Sequence, residues 1–279
     1  MKKRLTRFLP FLLAFTIALP SYSVFAEEEN QTKEPQTNET QANEATANDT
    51  LSLAAETAVL IDAASGEILY DKDADKKMYP ASITKLMTIL LALENGKLTD
   101  EITFSHDAVY NIEPGSAHIA ILEGETLTLE QVLRAIILRS ANEASNVAEY
   151  VDGSVEAFAK HMTERAKELG CTNTNFVNAN GLFDENHYTT AHDMALIARE
   201  LLKHEEYRSM MSETDYEIPP TNLQTETRYL HGQHQMLNPN SIYYYKDAIG
   251  GKTGYTVEAG NTLVTYAERD GLTLIAVVM

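Results

Sequence analysis

The stretch TLVTYAERDGLTLIAVVM, residues 262–279, decides the architecture. Thr262 to Ala267 and Leu272 to Met279 are β-prone runs flanking Arg269-Asp270-Gly271, which predicts a hairpin. A second hairpin is predicted at the other end, where Thr57 to Ala63 and Glu67 to Asp71 flank Ala64-Ser65-Gly66, whose glycine supplies a positive φ in the turn. Between them the apolar spacing is helical. Ile83, Leu86, Met87, Leu90 and Leu93 form one stripe, with Gly96 where a C-terminal cap is expected. Leu129, Val132, Leu133, Ile136 and Ile137 repeat the pattern behind Thr128-Leu-Glu-Gln131, a capping-box start. Val155, Phe158, Ala159, Met162, Ala166 and Leu169 make a third stripe closed by Gly170, and a fourth helix is predicted from His192 to His204, opened by Thr190. Strands at both ends with helices between them predict an α/β (α+β) chain: one antiparallel sheet built from both termini, with a helical insert over its face. Strict alternation of strand and helix is missing, which argues against a doubly wound parallel sheet.

Composition narrows the function. The 279 residues are 44% hydrophobic and 23% charged, enough apolar material for one or two cores. Lys plus Arg total 22 against 41 Asp plus Glu, a net charge of -19, so no nucleic-acid partner is expected. The single cysteine, Cys171, excludes an intramolecular disulfide framework and a thiolate-cluster zinc site, and after Gly170 it reads as a small packed hydrophobe. His231 and His234 are not in an H-x-x-x-H spacing with a carboxylate, so no metal is expected. Tyr243-Tyr244-Tyr245 is read as cover for the core edge rather than a glycan platform.

Lys2, Lys3, Arg4 and Arg7 precede an apolar run from Phe8 to Leu19, followed by Val24-Phe25-Ala26. This predicts a signal peptide, residues 1–26, cut after Ala26, because about 12 apolar residues fall short of the roughly 20 that a span needs. Its removal leaves 18 basic residues against 41 acids, about -23, on an extracytoplasmic protein. Residues 27–50 carry seven acids, one lysine and no Val, Ile, Leu or aromatic residue, which predicts a solvated, disordered linker. The folded domain is placed at 51–279. Asn38-Glu39-Thr40 and Asn48-Asp49-Thr50 match the glycosylation pattern, and chance explains them better in so Asn- and Thr-rich a tract.

Three short segments carry chemistry. In Ser82-Ile83-Thr84-Lys85 the i, i+3 spacing puts a hydroxyl and an amine on one face of a first helical turn, a nucleophile next to a base. The helix N-terminus adds backbone N–H groups where an oxyanion would form. About one S-x-x-K is expected by chance in such a length, and taken alone it reads as an N-cap serine and a surface lysine. Ser140-Ala141-Asn142 ends the second helix and can aim a hydroxyl and a carboxamide into one cleft, or simply form a capping turn. Lys252-Thr253-Gly254 offers a cation, a hydroxyl for a carboxylate, and a glycine that lets a substrate backbone lie against the strand edge.

Each pattern occurs once, in the order S-x-x-K, S-x-N, K-T-G, with 58 residues from Ser82 to Ser140 and 112 from Ser140 to Lys252. In this the chain resembles the serine penicillin-recognising enzymes. The flanks Tyr79 to Lys85, Ile249 to Thr256, Glu258-Ala-Gly260 and Asn178-Ala-Asn-Gly-Leu182 resemble the low-molecular-mass D-alanyl-D-alanine carboxypeptidases over about residues 53 to 279. The resemblance implies a β-lactamase/transpeptidase-like fold, with Ser82 as acylated nucleophile and Lys85 as its base. It further implies Ser140 as proton shuttle to the leaving D-alanine, Asn142 on the peptide amide, and Lys252 with Thr253 on the terminal carboxylate. The N–H groups of Ser82 and Tyr255 would form the oxyanion hole, beside Gly254. Peptidoglycan stem peptides are the implied partners and β-lactams the implied covalent inhibitors.

Departures from the family pattern are three. Glu143 stands where the family often has Asp, and His231 to Leu237 contains no arginine to assist with the carboxylate, which leaves Arg228 as a substitute or as a surface residue. Many relatives continue with a β-rich domain and an amphipathic membrane anchor, so the run ending at Met279 is read as stopping short of them, and membrane association is expected only through such a region. Two other functions fit the same motifs: a β-lactamase, for which Glu113 to Ala117 lacks the E-x-x-L-N setting of the deacylating glutamate, and a non-hydrolytic wall-binding module.

Overall fold

Asp270 and Gly271 both adopt positive φ, 53° and 76°, and fold the C-terminal run back on itself as a tight hairpin turn requires. The structure, a computed structural model, describes residues 52–279 except residue 114. The signal segment 1–26 and the linker 27–50 expected from sequence lie outside the described residues.

From Ala55 onward the chain forms one unit. Its first half runs through β1 (Ala58–Asp62), β2 (Ile68–Lys72), a 3-10 turn (Ala81–Thr84), α1 (Lys85–Asn95), β3 (Glu101–Thr103) and α2 (His106–Tyr110). Next come β4 (Thr126–Thr128), α3 (Leu129–Arg139), a 3-10 turn (Asn142–Ala144), α4 (Ser145–Asp152) and α5 (Val155–Glu168). The last part holds α6 (Ala191–Leu201), α7 (Glu205–Met210), β5 (Asp215–Ile218), β6 (Arg228–His231), β7 (Ala248–Thr256), β8 (Gly260–Arg269) and β9 (Leu272–Val278).

Five strands pair antiparallel in the order β2-β1-β9-β8-β7, so the sheet is built from both ends of the unit as expected. Thr57 and Met279 exchange backbone hydrogen bonds of 2.9 and 3.0 Å and close the seam between β1 and β9. The helices cover the sheet. From Lys85 to Ala92 every residue of α1 is buried, which makes it the central helix of the insert. The α6 helix packs against β1 and β9, where Arg199 donates to the carbonyls of Ala63 and Ala64 at 2.8 and 2.7 Å.

The cap signals act as read at Thr128, which makes a full capping box with Gln131, and at Thr190, whose side chain accepts from Asp193 N. Gly170, φ 94°, ends α5 in the left-handed conformation. Two expectations need correction. The fourth helix stops at Leu201, and the chain starts a new helix after His204. Gly96 follows α1 in extended backbone, φ -136°, so its role is space: a Cβ there would meet Tyr150 Oη at 2.7 Å and Leu129 Cδ2 at 2.9 Å.

Candidate active site

The nucleophile turn is forced. Ala81 holds a left-handed φ of 50° directly before Ser82, a conformation costly for a residue with a Cβ. Gly181, φ 82°, packs onto it so closely that a Cβ would lie 1.9 Å from the Ala81 carbonyl oxygen. Ser82 and Thr84 belong to the 3-10 turn and Lys85 opens α1, so the expected first α-helical turn is a tighter one; there i and i+3 eclipse.

Lys85 is fully buried, and its Nζ lies 3.0 Å from Ser82 Oγ, 2.7 Å from Asn142 Oδ1 and 2.7 Å from the Asn180 carbonyl. The two amide oxygens can only accept. A neutral amine has two hydrogens and one lone pair, so the hydrogens go to Asn142 and Asn180 and the lone pair is left facing the Ser82 hydroxyl. Burial first, and then the charge of Lys252, hold the Lys85 amine well below the usual lysine range, against an opposing pull from Glu143. The arrangement can take a proton from Ser82.

Ser140 caps α3 in left-handed conformation, φ 57°, which turns its hydroxyl towards Lys252. Lys252 is 2% exposed, and its Nζ donates to Ser140 Oγ at 2.9 Å and to the Thr253 carbonyl at 2.7 Å. Burial brings its pKa down to about 7. Asn142 N donates to the Ala117 carbonyl at 2.8 Å, and Asn180 Nδ2 donates to the Asn142 carbonyl at 3.2 Å. Glu143 is buried beside them and accepts from Ile119 N at 2.9 Å.

β7 is an edge strand, and its backbone lies over the nucleophile turn. Gly254 is the contact point: a Cβ would sit 2.4 Å from Thr262 Oγ1, 2.9 Å from Ser82 N and 3.1 Å from Ile83 N. The glycine is therefore required for packing within the protein. Thr262 Oγ1 donates to the Pro80 carbonyl at 2.8 Å and ties β8 to the same turn. Tyr255 is 64% exposed at the rim. Behind the turn, Val177 N donates to His187 Nδ1 at 3.1 Å, so Nε2 carries the hydrogen and donates to Thr84 Oγ1 at 2.8 Å.

Ser82, Lys85 and Asn142 thus meet through one set of hydrogen bonds and Ser140 and Lys252 through another, the charge of Lys252 acting on Lys85, with Thr253, Gly254 and Tyr255 on the strand beside them. Arg228 does neither thing expected of it. Its guanidinium is 10% exposed and committed to Glu125. Tyr243 and Tyr244 stand about half exposed, at 53% and 46%, and so do not cover the core edge, whereas Tyr245 accepts from Arg269. Cys171 is buried as expected. Asn180 joins the site without a signal in its own side chain: its carbonyl reaches Lys85, and only the Asn178 to Leu182 segment points to it.

A serine and a buried lysine sharing a proton under an antiparallel edge strand define a class, the serine peptidases of the penicillin-recognising fold. The family profile described as D-alanyl-D-alanine carboxypeptidase, peptidase S11, matches residues 40–279, and the chain belongs to that family. D-alanyl-D-alanine carboxypeptidase DacF of Bacillus subtilis is 38% identical over 235 residues, covering 82% of this chain and 58% of its own length. DacC of Escherichia coli is 34% identical over 240 residues, covering 82% and 57%. The chain therefore spans somewhat under three fifths of these two curated relatives. Among solved structures, the Streptomyces K15 DD-transpeptidase matches with a TM-score of 0.75 and 26% identity over 81% of this chain and 90% of that one. A D-alanyl-D-alanine carboxypeptidase from Mycobacterium tuberculosis H37Rv gives 0.73 and 28%, over 81% and 82%.

Proposed function

We propose that this protein is a serine D,D-carboxypeptidase that removes the terminal D-alanine from peptidoglycan stem pentapeptides through an acyl-enzyme on Ser82. The observation that carries the reading is the Lys85 amine, with two obligate acceptors on its hydrogens and Ser82 Oγ at 3.0 Å on its third side. Lys85 takes the hydroxyl proton as Ser82 attacks the penultimate carbonyl, and the oxyanion is received by the N–H groups of Ser82 and Tyr255. As the peptide C–N bond breaks, Ser140, bonded to Lys252, gives its hydroxyl proton to the departing amine and takes in return the proton that Lys85 removed from Ser82. Asn142 grips the peptide amide, and Lys252 with Thr253 holds the terminal carboxylate. An acidic protein needs such a local cation, since a net charge of -19 repels anions at long range.

Water then hydrolyses the acyl-enzyme, and no cofactor is required. β-Lactams acylate the same serine and stay. Glu113 to Ala117 lacks the E-x-x-L-N setting in which a lactamase of the class A type places its water-activating glutamate, which supports slow release of the penicilloyl group over the β-lactamase reading. The basic, apolar N-terminal segment supports export and work outside the cytoplasm, in the cell envelope. Release of D-alanine from a peptide ending in D-Ala-D-Ala, together with labelling by a fluorescent penicillin, tests the reading. Both are expected to vanish in Ser82→Ala. Release that survives this substitution would overturn it, and labelling without any release would leave a non-hydrolytic penicillin-binding module.

A further inference from the structure

Arg228 donates from Nη1 to Glu125 Oε1 at 2.6 Å and from Nη2 to Oε2 at 2.8 Å, a two-pronged ion pair. The Glu125 side chain is fully buried and accepts further bonds from Thr221 Oγ1 at 2.7 Å and Leu122 N at 2.9 Å. Burial pushes its carboxyl up, and the Arg228, Thr221 and Leu122 hydrogen bonds outweigh that and hold it below the usual range. The grip extends along the backbone. Arg228 Nη2 donates to the Ala120 carbonyl at 2.9 Å, and Ala120 is held at a left-handed φ of 56°. Asn222, in the loop between β5 and β6, donates to the Gly124 carbonyl and accepts from Thr126 N, both at 2.9 Å.

The segment so gripped runs directly into the site. Ile119 N donates to Glu143 at 2.9 Å, and the Ala117 carbonyl accepts from Asn142 N at 2.8 Å. Asn142 Oδ1 in turn accepts from Lys85 at 2.7 Å. We propose that Glu125 and Arg228 are positioning residues, a clamp that fixes Ala117–Ile119 against Asn142 and Glu143 and, through Asn142, orients the amine of Lys85. The proposal rests on the reading of Lys85 as base. A buried ion pair adds little net stability over an apolar pair of similar volume, so positioning and stability are separable here.

The test is the paired substitution Glu125→Met/Arg228→Met in the full chain, followed by the rate of labelling with a fluorescent penicillin and by Tm. Labelling is expected to slow about tenfold with Tm nearly kept, because small misplacements of a reacting group are costly. When Asn142→Ala is already present, the same pair is expected to change the slow residual labelling by less than about twofold, since the path through Asn142 is cut. A wild-type labelling rate in the paired variant overturns the clamp, and so does a tenfold loss that persists with Asn142→Ala. If the paired variant unfolds, Arg228→Lys, which keeps the charge and loses the fork, is read in the same way. D-Alanine release by the unaltered protein is measured alongside: its absence with normal penicillin labelling would sink the carboxypeptidase reading and leave the clamp standing.

Discussion

The Nζ of Lys252 lies 2.9 Å from the hydroxyl of Ser140, and its charge acts on the Lys85 amine, 3.0 Å from Ser82 Oγ. In the proposed mechanism one cation thus faces both Ser140, as proton shuttle, and the substrate carboxylate. Lys252→Ala should cost free-acid peptides about 3 to 5 kcal/mol, roughly 2 × 10²- to 5 × 10³-fold in kcat/KM, as for a buried charge pair left half-made. An ester- or amide-capped peptide lacks that carboxylate and should lose much less. Lys252→Arg should restore part of the preference. Equal losses for capped and free substrates in both variants would remove Lys252 from carboxylate binding.

The depressed pKa values set a pH window. In the free enzyme kcat/KM should rise as Lys85 gives up its proton and fall above about pH 7, where Lys252, brought down by burial, gives up its own. The falling limb should be weak for a capped substrate. A free-acid profile still rising through pH 9 would contradict this assignment.

Stability carries the opposite slope. An unfolded lysine keeps its proton to about pH 10.4, so above about 7 the unfolded chain binds more protons at Lys252 than the folded one. The Lys252 contribution therefore makes stability rise with pH from about 7 towards 10, and the gain is absent below 7. Lys252→Met should stabilise at pH 6 and lose that advantage by pH 9.5. Denaturant unfolding of both proteins at the two pH values checks it, and a constant difference would refute it.

Two glycines of the β7–β8 pair should behave differently. Gly254→Ala drives a Cβ to 2.9 Å from Ser82 N, so penicillin labelling should fall by at least about tenfold, with about 1 to 3 kcal/mol of lost stability. Gly260→Ala meets nothing within 4 Å and suffers only its φ of 65°, so it should cost about 1 kcal/mol and leave labelling unchanged. Comparable labelling in the two variants would mean that β7 does not brace the nucleophile turn.

How much was legible followed from the range of the interaction. Ser82 and Lys85 are three apart, and local geometry alone predicted their meeting. The caps at Thr128 and Thr190 are equally local. Ser140, Asn142 and Lys252 were found by motif order, because nothing in their own neighbourhoods says which elements face one another. Asn180 acts through its backbone carbonyl, and a carbonyl belongs to every residue type. Arg228 was misread because its partner Glu125 lies 103 residues away. The ribbons β3–β4 and β5–β6 went unseen since strands of three or four residues are too short to show a period.

The seam between β1 and β9 gives the molecule a timetable. The serine turn follows β2 in the first part of the folded unit, but the strand that braces it, β7, hangs from β8, and β8 is joined to the early strands only through β9. Contacts between such distant parts of a chain form late, after the helices have had time to collapse. A chain folding from its N-terminal end would thus carry an unbraced serine turn until β9 joins β1 and β8. In refolding, covalent capture by penicillin should then lag behind recovery of helical signal, and simultaneous recovery would show that the turn is held by the helices alone.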